Sequence, residues 1–204
     1  MIFVVHWKVN LFLMIFVGSD KNYERQYFNC AKTIKSKVFP ITYDQRKGST
    51  AFTFARFLVP EKTAYNGWHI FCDSDFLFLD DVNKLLEYKD DQYAVCVVKH
   101  KPYQVNSVKM DKKKNLYYDR KNWASLILWN SAHKSNRVLS EEYIRKSKAL
   151  HLLQFKWLED EEIGEIPKEW NILVDHQSTK GALGLHFTNG IENKYYEKCL
   201  NYES

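Results

Sequence analysis

The sequence is poor in the residues that punctuate turn-rich folds, since it contains only seven glycines and four prolines in 204 residues. This scarcity argues against a small β scaffold, a collagen-like chain and a low-complexity chain. No charge of one sign dominates, because 30 Lys and Arg stand against 25 Asp and Glu, a net charge of +5. Charge alone therefore does not require a nucleic-acid partner. The 45% of hydrophobic residues can form a real core in a chain of this length.

Cysteine is also scarce, and its spacing excludes a zinc ribbon. The four cysteines include no Cys-x-x-Cys pair, and three of them stand in apolar runs, as buried free thiols do. This usage is typical of a reducing compartment. It predicts a cytoplasmic protein, either of the cell itself or of an infected host.

The chain also lacks a long uninterrupted hydrophobic run. Residues 1–17 are apolar, but Lys8 and Asn10 divide them, and a membrane helix needs about 20 apolar residues. The pattern predicts two strands, Ile2–Val5 and Leu11–Val17. A signal anchor or a membrane-touching segment is the alternative.

Apolar runs and amphipathic segments alternate through the first half of the chain, which favours an α/β domain with a mainly parallel sheet. The predicted strands of this half, after Leu11–Val17, are Val38–Tyr43, His69–Cys72 and Tyr93–Lys99. The predicted helices are about Tyr23–Lys37, a short helix capped by Ser49, and Val82–Tyr88, capped by Asp80 or Asp81.

The second half is less regular. It contains the predicted strands Ala124–Trp129 and Leu183–Phe187, a helix capped by Ser140 and a closing helix Glu192–Leu200. No linker-like stretch is visible. The sequence therefore predicts one domain over residues 1–204, with residues 1–10 as a possible extra strand.

Two carboxylates, Asp73 and Asp75, interrupt an apolar stretch directly after the predicted strand His69–Cys72. Charges in apolar surroundings are costly unless they are paired or bind a metal. Residues two apart on an extended segment point the same way. Both carboxylates could therefore bind one divalent cation, or one could bind the metal and the other a ribose hydroxyl. The alternative is a solvated turn in which one aspartate caps a neighbouring segment.

His186 is the histidine with the most suggestive surroundings, because Thr188 and Gly190 follow it. A neutral imidazole could be a further ligand of Mn²⁺, and a purely structural histidine is the alternative. A glycine at this point lets backbone N–H groups approach a phosphate.

A third segment, residues 119–130, leads from polar groups into a buried strand that ends at Asn130. It could simply delimit the strand. In the functional interpretation Trp123 and Ser125 lie near a sugar, because rings stack on pyranose faces while hydroxyls fix orientation.

Taken in order, six segments resemble the metal-dependent nucleotide-sugar glycosyltransferases of the GT-A fold, and especially compact viral and bacterial enzymes like those of family 8. The six segments are residues 17–20, 52–60, 67–75, 120–130, 166–171 and the late His186-x-Thr188-x-Gly190. The resemblance spans residues 11–195 or so, and residues 1–10 have no counterpart. The chain departs from the family's final His-x-x-Gly-x-x-Lys pattern, since Gly190 and Lys194 follow His186 at longer spacings.

This resemblance implies a Rossmann-like, mainly parallel sheet flanked by helices, and a role for each matching residue. Asp73, Asp75 and His186 would ligate Mn²⁺ or Mg²⁺, which stabilises the charge of the diphosphate. The residues that would contact the donor, a nucleoside-diphosphate sugar, are Gly18, Ser19, Asp20, Arg56, Ser74, Trp123, Ser125, Asn130, Thr188 and Gly190. Asp75, Gln154 and Asp160 would be the catalytic residues, the last two in the sugar and acceptor region.

The activity that the resemblance implies is transfer of a hexosyl unit from a nucleotide sugar, expected to be UDP-linked, to a glycan or glycoprotein acceptor with retention of configuration. Asp160 and Asp175 leave an inverting reaction open, because it needs a carboxylate base. The expected partners are donor and acceptor, with no nucleic acid and no transmembrane span, while peripheral membrane contact stays open.

Two other classes of function compete with this interpretation. A nucleotidyltransferase acting on sugar phosphates has similar paired carboxylates, but it normally needs a Gly-rich phosphate loop, and residues 18–20 hold one glycine. A non-catalytic sugar-binding or nucleic-acid-binding module is suggested by the many aromatic residues and by the basic run Lys109–Lys114.

Overall fold

A six-stranded sheet forms the centre of the computed structural model, which describes residues 13–46, 48–103, 118–191 and 194–200. The predicted strand Ile2–Val5 and the basic run Lys109–Lys114 lie outside the described residues. The strands of the sheet are β1 (Ile15–Gly18), β2 (Val38–Ile41), β3 (Trp68–Cys72), β5 (Val95–Val97), β6 (Leu126–Asn130) and β7 (Ile163–Glu165). Their spatial order is β2-β1-β3-β6-β5-β7.

Five of these strands run in one direction and one runs against them. β1 pairs in parallel with β2 and β3, and β5 pairs in parallel with β7. β6 is antiparallel to both of its neighbours, β3 and β5. The mixed, mainly parallel sheet predicted from the sequence is confirmed. The carboxyl ends of β1, β3, β5 and β7 therefore share one edge of the sheet, the edge where ligands bind in open α/β sheets.

The strands form where the sequence is continuously apolar. Every residue of β1, β5 and β6 is buried, and so is every residue of β3 apart from Trp68. This is expected of strands that are covered on both faces. Their side chains divide between two core clusters, one on each face of the sheet. The largest fully buried side chain, Trp129 of β6, contacts the edge of the Phe57 ring at a centroid distance of 6.5 Å.

The helices are short. The α-helices are α1 (Glu24–Lys32), α2 (Val59–Lys62), α3 (Glu141–Lys146), α4 (Ala149–Leu153) and α5 (Lys194–Leu200). Ser140 caps α3 as predicted, because its hydroxyl accepts a hydrogen bond from the N–H of Tyr143. Residues 82–88 form a 3₁₀ helix that Asp81 caps through the N–H of Asn83. Among the described residues, no helix has the length and apolar content needed to cross a membrane.

The predicted helix after Ser49 is wrong in its cap and its position. The Ser49 hydroxyl lies 3.0 Å from the Thr53 hydroxyl, and regular structure begins only at a 3₁₀ helix, Ala55–Leu58. This 3₁₀ helix continues into α2, where Pro60 sits in the first turn. Proline is tolerated there because the first N–H groups of a helix have no partner within it.

A second, smaller sheet begins directly beside the end of β3. It contains β4 (Phe76–Phe78), β9 (Gly184–His186) and β8 (Ile172–Leu173), in the order β4-β9-β8. β4 follows β3 after only three residues, 73–75. The turn that carries both aspartates therefore joins the two sheets.

Candidate functional site: a metal-binding group at the edge of the sheet

The turn between β3 and β4 brings Asp73 and Asp75 next to His186. β4 and β9 are antiparallel with Phe76 opposite His186, and the N–H of Phe187 donates to the Asp75 carbonyl at 2.9 Å. One ligand atom from each of Asp73, Asp75 and His186 lies within 4.8 Å of the others. The structure therefore brings together the three residues that the sequence predicted as metal ligands.

Asp73 is the more deeply enclosed of the two carboxylates. Its oxygens lie 2.8 and 3.2 Å from the two terminal nitrogens of Arg56. Arg56 is itself buried, and its guanidinium donates to the carbonyls of Thr53 and Ala124. Burial raises the pKa of Asp73 to about 6, even though the Arg56 charge acts in the opposite direction. A fixed, partly desolvated carboxylate of this kind suits a cation site.

The bonding of Arg56 differs from the role expected for it. The sequence assigned this guanidinium to a donor phosphate or sugar, whereas the structure commits it to Asp73 and two backbone carbonyls. Arg56 lines the same cleft as both aspartates. In this structure its charge orients one of the candidate ligands.

His186 is held so that one ring nitrogen faces Asp75. Its Nδ1 lies 2.9 Å from Oδ1 of Asn171, and its Nε2 lies 3.4 Å from Oδ1 of Asp75. The ring also stacks on Phe76 at a centroid distance of 4.4 Å. Because an amide oxygen only accepts, Nδ1 donates to Asn171, and Nε2 is the ring nitrogen that faces the site.

The orientation of Asn171 is fixed by two further polar groups. Its Nδ2 donates to the Ser125 hydroxyl at 3.0 Å, and that hydroxyl donates to the Asn122 carbonyl at 2.6 Å. This chain of hydrogen bonds leaves Oδ1 of Asn171 as the acceptor for His186. Histidines that bind metals almost always donate their second N–H to such a partner.

A cleft of about 140 Å³ opens beside the two aspartates, and we call it the donor cleft. Its walls include the loop residues Ser49, Thr50, Phe52 and Thr53, together with Arg56, Tyr118, Asn122, Ser125 and Leu153. Ser125 therefore lines the same cleft as the two aspartates, and its expected contact with the sugar stays a prediction. Ser74 does not line this cleft, because its side chain is buried beneath the turn.

Gly18, Ser19 and Asp20 support one wall of the donor cleft from behind. A Cβ on Gly18 would lie 2.6 Å from the ring of Phe52, which lines the cleft. The Asp20 carboxylate accepts from the N–H groups of Asn22 and Ala51 at 2.9 and 2.7 Å. These contacts fix the position of the loop that lines the cleft, and the expected contact of residues 18–20 with a nucleoside stays a prediction.

Thr188 and Gly190 follow His186 directly. Gly190 has a φ of 102°, which favours glycine, and its N–H donates to the Phe187 carbonyl at 2.8 Å. Both residues are partly exposed beside the candidate metal ligand. Their contact with a phosphate stays a prediction.

Trp123 lies on the far side of the segment that carries Ser125. Its indole N–H donates to the His100 carbonyl at 3.1 Å, and the guanidinium of Arg120 lies 5.3 Å from its ring centroid. Arg120 also donates to the Gln154 carbonyl at 2.8 Å and forms an ion pair with the exposed Asp160. Gln154 and Asp160 are thus linked to each other but lie outside the Asp73, Asp75 and His186 group.

Asn130 is not part of this site. β6 runs antiparallel to β3, so Asn130 pairs with Trp68 at the start of β3, at the opposite edge of the sheet from Asp73. Its amide donates to the Tyr93 carbonyl at 3.0 Å. The sequence prediction failed here because the direction of β6 cannot be deduced from its apolar residues.

Comparison with known proteins identifies a curated relative, and no family model matches the chain. Protein CDI of Arabidopsis thaliana is 36% identical, over 86% of this chain and 77% of that protein.

Several solved structures share the fold. The apo form of the glycosyltransferase GlyE of Streptococcus pneumoniae TIGR4 superposes with a TM-score of 0.57 at 13% identity, over 94% of this chain and 62% of GlyE. The chain therefore spans less than two thirds of GlyE. The galactosyltransferase LgtC, in complex with donor and acceptor sugar analogues, superposes with a TM-score of 0.56 at 10% identity, over 93% of this chain and 96% of LgtC. A glycosyltransferase involved in glycosylation of the major capsid of PBCV-1 superposes with a TM-score of 0.55 at 12% identity, over 93% of this chain and 98% of that enzyme. The predicted GT-A fold is confirmed.

Proposed function

This chain belongs to the family of Protein CDI of Arabidopsis thaliana, and from its fold and its site we propose that it is a metal-dependent glycosyltransferase. The donor is a nucleoside-diphosphate sugar, expected to be UDP-linked, and the acceptor is a glycan or glycoprotein. The observation that carries the proposal is the Asp73, Asp75 and His186 group at the ligand-binding edge of a GT-A sheet.

The donor atoms suit a divalent cation such as Mn²⁺ or Mg²⁺. Carboxylate oxygens are hard ligands, and a neutral imidazole nitrogen is accepted by Mn²⁺ in mixed oxygen and nitrogen sites. The hydrogen bond from Nδ1 to Asn171 leaves Nε2 of His186 as the ring nitrogen available for this role. When bound, the cation supplies Lewis-acid stabilisation of the diphosphate leaving group.

The chain's own residues then bind and orient the donor. Arg56 fixes the Asp73 carboxylate. The loop that contains Phe52 lines the donor cleft and forms the wall next to the nucleoside. Ser125 stands in the donor cleft and supplies a hydroxyl near the diphosphate or the sugar. Retention of configuration is proposed from the family-8 resemblance, and NMR of the anomeric centre of the product tests it, since an inverted product contradicts it.

Three further proposals complete this assignment. Residues 1–204 form one domain, supported by the three-residue turn that joins the two sheets. The protein works in a cytoplasm, supported by cysteines that are all free although the Cys30 and Cys72 sulfurs lie 3.9 Å apart. Asp160 and Gln154 act on the acceptor side, supported by their shared contact with Arg120.

A thermal-shift panel of nucleoside diphosphates and nucleotide sugars, each with and without Mn²⁺, tests the donor class. A ligand that binds only the native state raises the melting temperature. At a ligand concentration of 100 times Kd, the free energy of unfolding increases by about 2.7 kcal/mol. We expect a UDP-type ligand to raise it only with the metal present. No response to any pair of nucleotide and metal would contradict the proposal.

A further inference from the structure

Two further cavities open at the same edge of the sheet, on the other side of β6 from the donor cleft. They measure about 490 and 220 Å³ and share His100, Lys101, Pro102 and Tyr103 as lining residues. We call the joined space the basic cleft. Its size matches that of ordinary small-molecule sites.

The position of the basic cleft follows from the topology. Lys99 to Tyr103 follow the carboxyl end of β5, and Glu165 and Lys168 stand at the end of its parallel neighbour β7. The donor cleft lies at the ends of β1 and β3. The two spaces therefore occupy the two halves of one sheet edge.

The donor cleft is lined by two of the candidate metal ligands, and the basic cleft borders the elements that hold the third. The 3₁₀ helix Trp123–Ser125 separates the two clefts, with Ser125 lining the donor cleft and Trp123 lining the basic cleft. Leu173 of β8 lines the basic cleft and pairs with His186 of β9. A molecule in the basic cleft would thus approach the sugar from the side opposite the nucleotide.

The lining of the basic cleft is strongly cationic. Its lysines and arginine are Lys99, Lys101, Arg120, Lys121 and Lys168, against the two acids Asp119 and Glu165. The chain as a whole has 30 basic and 25 acidic residues, so this cleft is enriched in positive charge. Arg120 is balanced by Asp160, whereas Lys101 and Lys168 are exposed at the cleft.

Aromatic rings complete the lining. Tyr103 and His176 lie with ring centroids 4.7 Å apart, and the amide of Asn122 donates to the Tyr103 hydroxyl at 2.6 Å. Trp123 contributes a partly exposed ring beside Lys99, whose ammonium lies 6.0 Å from the ring centroid. Flat rings beside cations suit a sugar or polyol that carries an anionic group.

We propose that the basic cleft is the acceptor site and that the acceptor carries a phosphate group next to the hydroxyl that receives the sugar. This inference rests on the proposed glycosyltransferase function. Lys101 and Lys168 bind the phosphate by charge-assisted hydrogen bonds, and Trp123 contacts the acceptor ring. The phosphate belongs either to a soluble sugar phosphate or to an inositol-type lipid headgroup.

The test titrates glucose 6-phosphate, and glucose as its uncharged counterpart, into the protein saturated with UDP and Mn²⁺. Filling the donor cleft first prevents the probe phosphate from binding there. We expect binding of glucose 6-phosphate but not of glucose, weakened about tenfold by Lys101→Ala and by Lys168→Ala. Lys62 is an exposed lysine of α2, and the next residue, Thr63, bonds Ser131 at the opposite edge of the sheet, so Lys62→Ala should leave the affinity unchanged.

A parallel arm distinguishes the two sources of phosphate. Sedimentation with phosphatidylcholine vesicles, with and without phosphatidylinositol, is measured for the same four proteins. Binding only to inositol-containing vesicles, and only when both lysines are present, assigns the phosphate to a lipid headgroup. Binding of the soluble probe alone assigns it to a sugar phosphate.

The proposal is overturned if neither probe binds, if glucose binds as well as glucose 6-phosphate, or if both lysine variants bind like the wild type. Those results leave the donor assignment intact as long as UDP and Mn²⁺ still bind. If UDP and Mn²⁺ fail to bind, the proposed function fails, and with it the role of the basic cleft as an acceptor site.

Discussion

At the scale of single residues, the two aspartates of the turn differ in their surroundings. The Asp73 side chain is 14% exposed and paired with Arg56, whereas the Asp75 side chain is 25% exposed and faces His186. A carboxyl group whose pKa rises on folding is more stable protonated in the fold than in the unfolded chain. Asp73 therefore reduces the stability of the metal-free protein, and in the proposed function it serves as a ligand of the cation.

We predict that Asp73→Asn stabilises the metal-free protein. The pKa of this carboxyl rises from 3.8 to about 6 on folding. Ionising Asp73 in the folded protein therefore costs free energy, and the wild type loses stability as the pH rises from about 4 through 6. The advantage of the variant should be near zero at pH 4 and reach about 3 kcal/mol above pH 7. Urea unfolding of both proteins across this range, without metal, measures the difference.

A control for this prediction is the same series with Mn²⁺ and UDP present, where the wild type should become the more stable protein. The contrary outcome for the metal-free series is a loss of stability in Asp73→Asn. It would mean that the unpaired Arg56 charge costs more than the buried carboxylate.

From the contact between Oδ1 of Asn171 and Nδ1 of His186 we infer that Asn171 positions this histidine at the site. Asn171→Ala removes the acceptor of the Nδ1 proton, and loss of such a partner lowers metal affinity by about 10- to 100-fold. Asn136→Ala is the matched control, since Asn136 is equally buried and its amide donates to the Ala94 and Asn130 carbonyls, remote from His186. Both variants should lose stability, but only Asn171→Ala should weaken Mn²⁺ in a calorimetric titration. Equal metal affinity in the two variants would refute the positioning role.

At the scale of elements, the contact between β1 and the Phe52 loop shapes the donor cleft. Gly18→Ala would place a methyl group 2.6 Å from the Phe52 ring, and overpacking of this kind costs about 1–3 kcal/mol. We predict a lower free energy of unfolding together with weaker UDP binding, because Phe52 lines the cleft. Thermal unfolding and a UDP titration measure the two effects.

The double variant Gly18→Ala with Phe52→Leu should recover part of the lost stability, since the smaller side chain makes room for the methyl group. A single variant that is as stable as the wild type and binds UDP equally would show that the close contact has no role in the cleft.

The elements that could be predicted from the sequence are those with long apolar runs or clear caps. β1, β3, β6 and the helix after Ser140 fall within or beside their predicted ranges. β4, β7 and β8 were missed, because they have only two or three residues and, unlike β5 and β9, were not recognised within a longer predicted strand. The predicted helix at residues 23–37 is shorter, ending at Lys32.

In the site, too, features that depend on neighbouring residues could be predicted, whereas contacts between distant segments could not. Asp73, Asp75 and His186 were found because polar side chains stand out in apolar strands. Asn171 was noted within a segment of the resemblance but given no role, since its contact with His186 depends on how β8 and β9 pair. Asn130 was misplaced for a related reason, the antiparallel direction of β6.

At the scale of the whole molecule, one edge of the sheet carries both proposed substrate sites. Proteins with 10–13% identity share this fold, so the scaffold depends on the pattern of buried strands more than on particular residues. The candidate ligands come from two segments that are 111 residues apart, Asp75 and His186. The small sheet joins them, and the metal site therefore depends on the complete fold.

The measurement that tests the central claim most directly is a titration with Mn²⁺ in the presence of UDP, followed by electron paramagnetic resonance of the free ion. We expect one bound ion per chain in the wild type and in the control Asp80→Asn, whose carboxylate pairs with Lys84 on the surface. Asp75→Asn should abolish that binding while the protein stays folded. Undiminished binding of Mn²⁺ by Asp75→Asn would contradict the assignment of the metal to Asp73, Asp75 and His186.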